Sequence, residues 1–411
     1  MKNNMMLNKL AKLEVIVGVN VQKGQLVFVR SSTENRELAR EIVKQAYIAG
    51  ASKVVVDWTD DYVAKYSYTY ETVESLQIIP DYEIDKYKDY VTKKGCTIYI
   101  FSPVPDLNSE IDPRKLQAKD LANRKALSFY YENNMSLNSQ WCIISAPNRI
   151  WAEKVFPKLK GEQAIEKLWD AILSTSRITM DNDPINEWKQ HNEQLLKHNE
   201  ILNHYNFDKL HFKNNLGTDI IVKLVDHHIW SGGGDLSSEG VLFNPNIPTE
   251  ENFTMPHKYG VNGKVVATKP LNYQGKLIED FWLEFKDGKV VDYDAKKNIE
   301  VLDNLINFDE GSSYLGEIAL VSYDSPISKS GILFYNTLFD ENASCHMALG
   351  NALLFNMIDG AKYTLKELQE RGYNNSLTHV DFMFGSKDMS ITGETKTGKE
   401  IVIFKDGNFV I

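Results

Sequence analysis

Glutamate, aspartate and histidine crowd into four short segments late in the chain: PTEENF at 248–253, GE at 316–317, DENASCH at 340–346 and HVDFMFGS at 379–386. Of nine histidines only His346 and His379 lie beyond residue 257, and each stands within a few residues of a carboxylate. Carboxylate oxygen and imidazole nitrogen in this quantity suit two divalent cations, and cations so held activate water. The chemistry indicated is metal-dependent hydrolysis.

His379 and Asp381 are two apart in SLTHVDFMFG, whose apolar content reads as a strand. On a strand, residues i and i+2 face the same way, so imidazole and carboxylate can reach one ion; a charged surface pair would give the same pattern. FYNTLFDENASCHMALGNALLFNMIDG changes from a strand-like to a helix-like run near Ala343–Cys345. That sets Glu341 and His346 about a strand-to-helix junction, where scaffolds commonly hold reactive groups. Glu341 would equally serve as a carboxylate at a helix N-terminus, and Cys345 as a small buried filler rather than a ligand or nucleophile.

Glu250 and Glu251 are consecutive, so their side chains diverge: one can ligate metal while the other faces bound water as a general base. Capping of a helix start by Thr249 and this pair is the alternative. Glu317 precedes the apolar run IALVSY and is expected to be partly buried. That is costly for a lone carboxylate and favourable for one that bridges two cations.

The elements that must position these groups fall into two halves. QLVFVRS (25–31), the amphipathic ENRELAREIVKQAYIAGA and SKVVVDW (52–58) read as strand, helix and strand, a parallel unit with a right-handed crossover. CTIYIFS (96–102) and QWCIISAP (140–147) supply further buried strands, with helical stretches around 113–131 between them. This is an α/β domain with an open, mainly parallel sheet. No G-x-G-x-x-G or G-x-x-x-x-G-K-[ST] loop follows any of these strands, and GETKTGKE at 393–400 ends in Glu400 where a hydroxyl is needed, which argues against a nucleotide site.

A helical stretch at 161–176 precedes a long helix starting at Asp183-Pro184 and running to Tyr205, which reads as the connector between domains. His191, His198 and His204 on it lack i,i+4 spacing and are expected on a solvated face. After 205, GTDIIVKLVDHHIW reads as a strand, IEDFWLEFKDGKVVDYDA as a hairpin turning at Asp287-Gly288, and FKDGNFVI as another. The expectation is an α/β N-terminal domain over 1–204 and an α+β C-terminal domain over 205–411, dominated by antiparallel sheet and carrying the carboxylates.

Composition removes several partners. With 46 basic and 56 acidic side chains the net charge is −10, leaving no positive field to exchange with phosphate counterions, so nucleic acid is not expected. Cys96, Cys142 and Cys345 are odd in number and form no C-x-x-C pair, which fits reduced thiols. No uninterrupted apolar run approaches about 18 residues, and no secretory leader opens the chain. The expectation is a cytoplasmic protein without a membrane partner.

NIPTEENFTMPH, KPLNYQGKLIEDF, YLGEIALVSYDSPISKSGILFYNTLFDENASCHMALG and HVDFMFGS resemble, in order, the motifs of the thermophilic aminopeptidase family of AmpS/AmpT-type dinuclear metallopeptidases. WCIISAPNRIWAEKVFP and AIEKLWDAIL extend the resemblance into the first half. It implies two metal ions, zinc, cobalt or manganese, held by Glu251, Glu317, Glu341, His346, His379 and Asp381, with Glu317 as the bridge. It also implies a homodimer that removes N-terminal residues from peptide substrates.

On this reading Glu250 takes the proton of the water that attacks the first peptide carbonyl. One position departs from the family pattern. Leu353 stands seven residues after His346, where the family carries a tyrosine, so a metal-bound peptide-binding pseudoenzyme is the alternative. Tyr314, Tyr323 and Tyr335 lie near the ligands in sequence and could supply the missing phenol, though each also reads as a packed aromatic.

Overall fold

The computed structural model describes residues 4–411, and these divide into two compact units. One comprises the chain up to Gln190 together with Gly234–Pro248; the other comprises His191–Gly233 and Thr249–Ile411.

In the N-terminal unit β1 (Leu26–Ser32), β2 (Lys53–Thr59), β3 (Cys96–Phe101) and β4 (Trp141–Ser145) form a parallel sheet in the order β2-β1-β3-β4. Its strands match the β-branched runs, because a strand covered on both faces must be apolar along its whole length. Helix α1 (Asn4–Leu13) and helix α2 (Arg36–Ile48) bury Leu10, Leu13, Leu38 and Ile42 against Val27, Val29, Ile98 and Ile144. On the opposite side Phe28 meets Tyr87, Tyr90 and Tyr130, with ring centroids 5.7 Å apart for Phe28–Tyr87 and 5.5 Å for Phe28–Tyr90.

The C-terminal unit is built of antiparallel sheet, as its alternating pattern predicts. A nine-stranded sheet contains the hairpin Lys276–Lys286 and Lys289–Lys297, which turns at Asp287-Gly288 with φ of 49° and 84°. Only glycine fits the second position, since a Cβ on Gly288 would collide with the Lys258 carbonyl oxygen. A second, four-stranded sheet has the order His379–Met383, His346–Gly350, Leu315–Val321, Glu251–Thr254. Leu315, Ile318, Leu320, Met347, Leu349 and Phe382 join its other face to the main core.

Two local expectations are corrected. The segment around Ala343–Cys345 runs from helix to strand: Thr337–Asp340 and Glu341–Ala343 are helical turns, and His346–Gly350 is a buried strand paired on both sides. Asn336 caps the first turn by accepting from Leu338 N–H at 3.2 Å, and the two flanking strands outweigh the helix propensity of HMALG. On the helix Pro184–Tyr205, His191 and His198 are buried rather than solvated; His198 stacks on Phe409 with ring centroids 3.9 Å apart.

A buried carboxyl lies in the N-terminal unit. After α1 the chain widens into a π-helical turn, Glu14–Gly18, closed by Val19 N–H donating to the Glu14 carbonyl at 2.9 Å. Glu14 is fully buried and neither carboxyl oxygen has a well-placed hydrogen-bond partner. The carboxyl rests on Gly18, where a Cβ would come within 2.7 Å of it. Burial raises its pKa from 4.5 to about 8, with the neighbouring Cys142 thiol opposing the shift.

The folded chain therefore keeps a proton that the unfolded chain releases. The contribution of Glu14 to stability should be full below about pH 4.5 and fall by roughly 1.4 kcal/mol per unit as pH rises toward about 8, then level off. Glu14→Gln should flatten this slope and leave the variant more stable than the parent at pH 8, as read from urea unfolding at pH 5 and pH 8.

Candidate metal centre

One face of the four-stranded sheet carries the chemistry. Asp381 lies opposite Ala348, which lies opposite Glu317; His379 lies opposite Gly350; and His346 lies between Met383 and Ala319. Glu251 lies opposite Val321, two places beyond Ala319 on the same strand. Because side chains alternate along each strand, all these positions share a face, and Ala319, Ala348 and Gly350 leave room among the charged groups.

A β-bulge turns Glu317 onto this face. Leu315 pairs with Leu349 but Glu317 pairs with Ala348, so Gly316 is an extra residue in the register. Gly316 is packed so closely that a Cβ would stand within 2.3 Å of the Asn351 carbonyl oxygen. Were the register to run on from Leu315 without the bulge, Glu317 would lie opposite Met347 and point into the apolar core.

Glu251, Glu317 and His346 are buried, Glu341 and Asp381 partly so, and the His379 side chain is 29% exposed; the distances are short. His346 Nε2 is 2.9 Å from Glu251 Oε2 and 3.6 Å from Glu317 Oε1. His379 Nε2 is 3.7 Å from Glu317 Oε2 and 3.5 Å from Asp381 Oδ1. Two groups of potential ligand atoms result, Glu251, Glu317 and His346 in one and Glu317, His379 and Asp381 in the other, each within 4.8 Å; Glu317 belongs to both. Glu341 belongs to neither, but its carboxyl is close enough to feel the charges of Asp381, Glu251, His346 and Glu317.

The other ring nitrogens fix the tautomers. His346 Nδ1 is 3.1 Å from the Ser344 carbonyl and His379 Nδ1 is 2.7 Å from the Asn351 carbonyl. A carbonyl oxygen can only accept, so both Nδ1 atoms carry hydrogen, and in the neutral rings Nε2 presents a lone pair to carboxylate oxygens. Acceptor then faces acceptor, which only a shared positive charge reconciles. In the protein alone that charge is a proton: burial pulls His379 down, but Asp381 and Glu317 outweigh it and hold the ring at about 10. His346 is likewise raised well above its ordinary value against burial, by Glu251 and Glu317.

Burial raises Glu317, with His346 opposing, and raises Glu341 well above the usual carboxylate range, helped by the charges of Asp381 and Glu251. Asp381 is lowered because His379 outweighs burial. Asp381 Oδ1 is buried and has no well-placed hydrogen-bond donor. Four carboxylates and two imidazole lone pairs in one partly buried cluster fit divalent cations.

Glu250 is set apart from this cluster. Its side chain diverges from that of Glu251 and its Oε2 lies 3.9 Å from His191 Nε2, while its own N–H donates to Asn342 Oδ1 at 2.8 Å. His191 Nε2 is 2.8 Å from the Thr249 carbonyl and so must donate to it. The sequence pattern missed His191 and Asn342 as neighbours of Glu250: nothing in their spacing marks a contact across 59 and 92 positions. Of the three candidate tyrosines, Tyr314 packs with Lys258 Nζ 4.7 Å from its ring centroid, and Tyr323 is half-exposed near Gly407. Tyr335 lines a cleft together with Glu341 and Asp381.

Residues 3–409 match the thermophilic metalloprotease (M29) family. The chain is 46% identical to aminopeptidase AmpS of Bacillus subtilis over 98% of each chain, and 44% identical to aminopeptidase 2 of Geobacillus stearothermophilus over 98% of this chain and 97% of that one. The solved structure of wild-type AmpT from Thermus thermophilus superposes with a TM-score of 0.92 at 35% identity, covering 99% of both chains.

Divalent metal added to the chelated protein should raise its melting temperature, by about 2.7 kcal/mol of stability at about 100 times the dissociation constant. It should also release roughly two protons near neutral pH, because the imidazoles must give theirs up; calorimetry in buffers of different ionisation enthalpy measures this. Glu317→Ala should abolish the thermal shift. Ala348→Val, which fills the space between Glu317 and Asp381, should reduce it while leaving the metal-free fold intact by circular dichroism.

Proposed function

This chain belongs to the thermophilic metalloprotease (M29) family, and we propose that it is a dinuclear metallo-aminopeptidase that removes N-terminal residues from peptides. The observation that carries the reading is the convergence of Glu251, Glu317, His346, His379 and Asp381 on one sheet face, with two imidazole lone pairs aimed at carboxylate oxygens. Glu317, common to both groups of potential ligand atoms, would be shared by the two ions, and Glu341 would complete the set. The names of the relatives, AmpS and aminopeptidase 2, support peptides as the substrate class.

Zinc, cobalt or manganese ions bound there would lower the pKa of a water and polarise the carbonyl of the first peptide bond. The chain's own contribution is the placement of Glu250. Diverging from Glu251 at the edge of the cluster, it accepts the proton of the attacking water and later returns it to the departing amine. The Asn342 contact to its N–H, and His191 donating to the Thr249 carbonyl, hold that backbone still. Burial of Glu251, Glu317 and His346 strengthens the electrostatic contacts among them.

We place the enzyme in the cytoplasm as a homodimer. Three buried cysteines, none in a disulfide, accord with a reducing compartment, and no described helix is long and apolar enough to cross a membrane.

A second reading, peptide binding with little or no turnover, rests on Leu353 in place of the family tyrosine. Glu250→Gln should leave metal content unchanged and lower kcat on leucine amide by roughly 10²–10⁴-fold; unchanged turnover would remove Glu250 from the base role. Leu353→Tyr should raise kcat, by up to about 10²–10³-fold if a phenol there stabilises the oxyanion. A parent protein that loads metal and hydrolyses no aminoacyl amide would favour the second reading.

A further inference from the structure

A cleft in the C-terminal unit opens on the candidate metal centre. It is a small cavity of about 40 Å3, with Glu341 and Asp381 in its lining and Pro270, Asn272, Tyr335 and Met383 among its walls. Tyr335 has φ of 54°, and among the described non-glycine residues it is the only phenylalanine, tryptophan or tyrosine with a left-handed backbone. Bulky side chains rarely adopt that conformation, and they keep it only where neighbouring contacts impose it.

Those contacts are present on both sides. The Asp340 carboxylate accepts from Phe334 N–H at 2.7 Å and from Asn336 N–H at 3.0 Å, so it clasps the residues before and after Tyr335. The Phe334 ring stacks on Phe339 with centroids 4.5 Å apart and planes at 17°. Asparagine or glycine would take the same backbone with less strain. A tyrosine is nevertheless fastened there, as part of the wall of a cleft that leads from two of the clustered carboxylates.

We propose that this cleft receives the side chain of the substrate's first residue and that the Tyr335 ring sets the largest side chain admitted. The inference rests on the aminopeptidase reading above. In that reaction the first residue of the peptide sits nearest the metal carboxylates, and the space leaving from Glu341 and Asp381 is what its side chain meets. Pro270, Met383 and Tyr335 stand in the wall beside Asn272, Asn336 and Thr337, and the cleft is small, so it takes small and medium side chains and excludes an indole.

The test uses the full chain loaded with zinc and two variants. Tyr335→Asn suits the left-handed backbone and removes the ring; Tyr335→Phe keeps the ring and removes the hydroxyl. The ratio of kcat/KM for tryptophan amide to that for alanine amide should rise at least about tenfold in Y335N and stay within about threefold of the parent in Y335F. A ring with a purely structural role would lower melting temperature and turnover of every amide together, and a ratio unchanged in Y335N overturns the proposal.

Calorimetric binding of alanine and tryptophan hydroxamates to the same three proteins reads the cleft without turnover. An affinity ratio that moves in Y335N while no amide is hydrolysed keeps the cleft and discards the aminopeptidase reading. Hydrolysis with equal ratios in all three proteins keeps that reading and discards the cleft. Hydroxamates that bind none of them overturn both.

Discussion

Two imidazole lone pairs pointed at carboxylate oxygens inside a partly buried cluster are the constraint on which the C-terminal unit depends. The Ser344 and Asn351 carbonyls take the Nδ1 hydrogens, so neither ring can relieve the conflict by changing tautomer. Several carboxylates cannot stay ionised together away from water without positive charge among them. Protons supply that charge in the protein alone, and cations supply it better because one dication satisfies several oxygens and a nitrogen at once.

The sheet answers this constraint with unremarkable parts. Alternation along four strands brings distant segments to one face, and Ala319, Ala348 and Gly350 keep the spaces between them open. Register matters more than composition here. A one-residue slip would send Glu317 to the apolar side, and the bulge at Gly316 is what prevents it. Behind the charged face, Ile318, Leu320, Met347 and Phe382 anchor the same strands in the core, which gives the ligands a stiff support.

Much of this was legible from residue types alone. The parallel strands of the first half announced themselves as β-branched runs between amphipathic helices, and the Asp-Gly hairpins fixed their own turns. The acidic and imidazole segments were legible too, since His379 and Asp381 carry the period of a strand. What failed were the places where tertiary contact overrides local preference. HMALG looks helical and is a strand because two neighbours pair with it; His191 and His198 look like a polar face and are buried. The contacts of Glu250 with His191 and Asn342, and the strained backbone of Tyr335, leave no trace in spacing.

Glu14 gives the same physics with the opposite outcome. It too is a buried carboxyl, yet it stands alone beside a thiol and Gly18, and retaining a proton to about pH 8 settles its charge. Protonation suffices for one group because nothing else nearby needs a positive partner. In the sheet cluster each proton placed on an imidazole answers part of the demand of Glu251, Glu317, Glu341 and Asp381 and leaves the other oxygens facing one another. A group that must be neutral and a group that must stay charged are both costly to bury. The separation between them is set by how many acceptors converge, and that number, rather than burial itself, is what distinguishes a metal centre from a titrating residue in this chain.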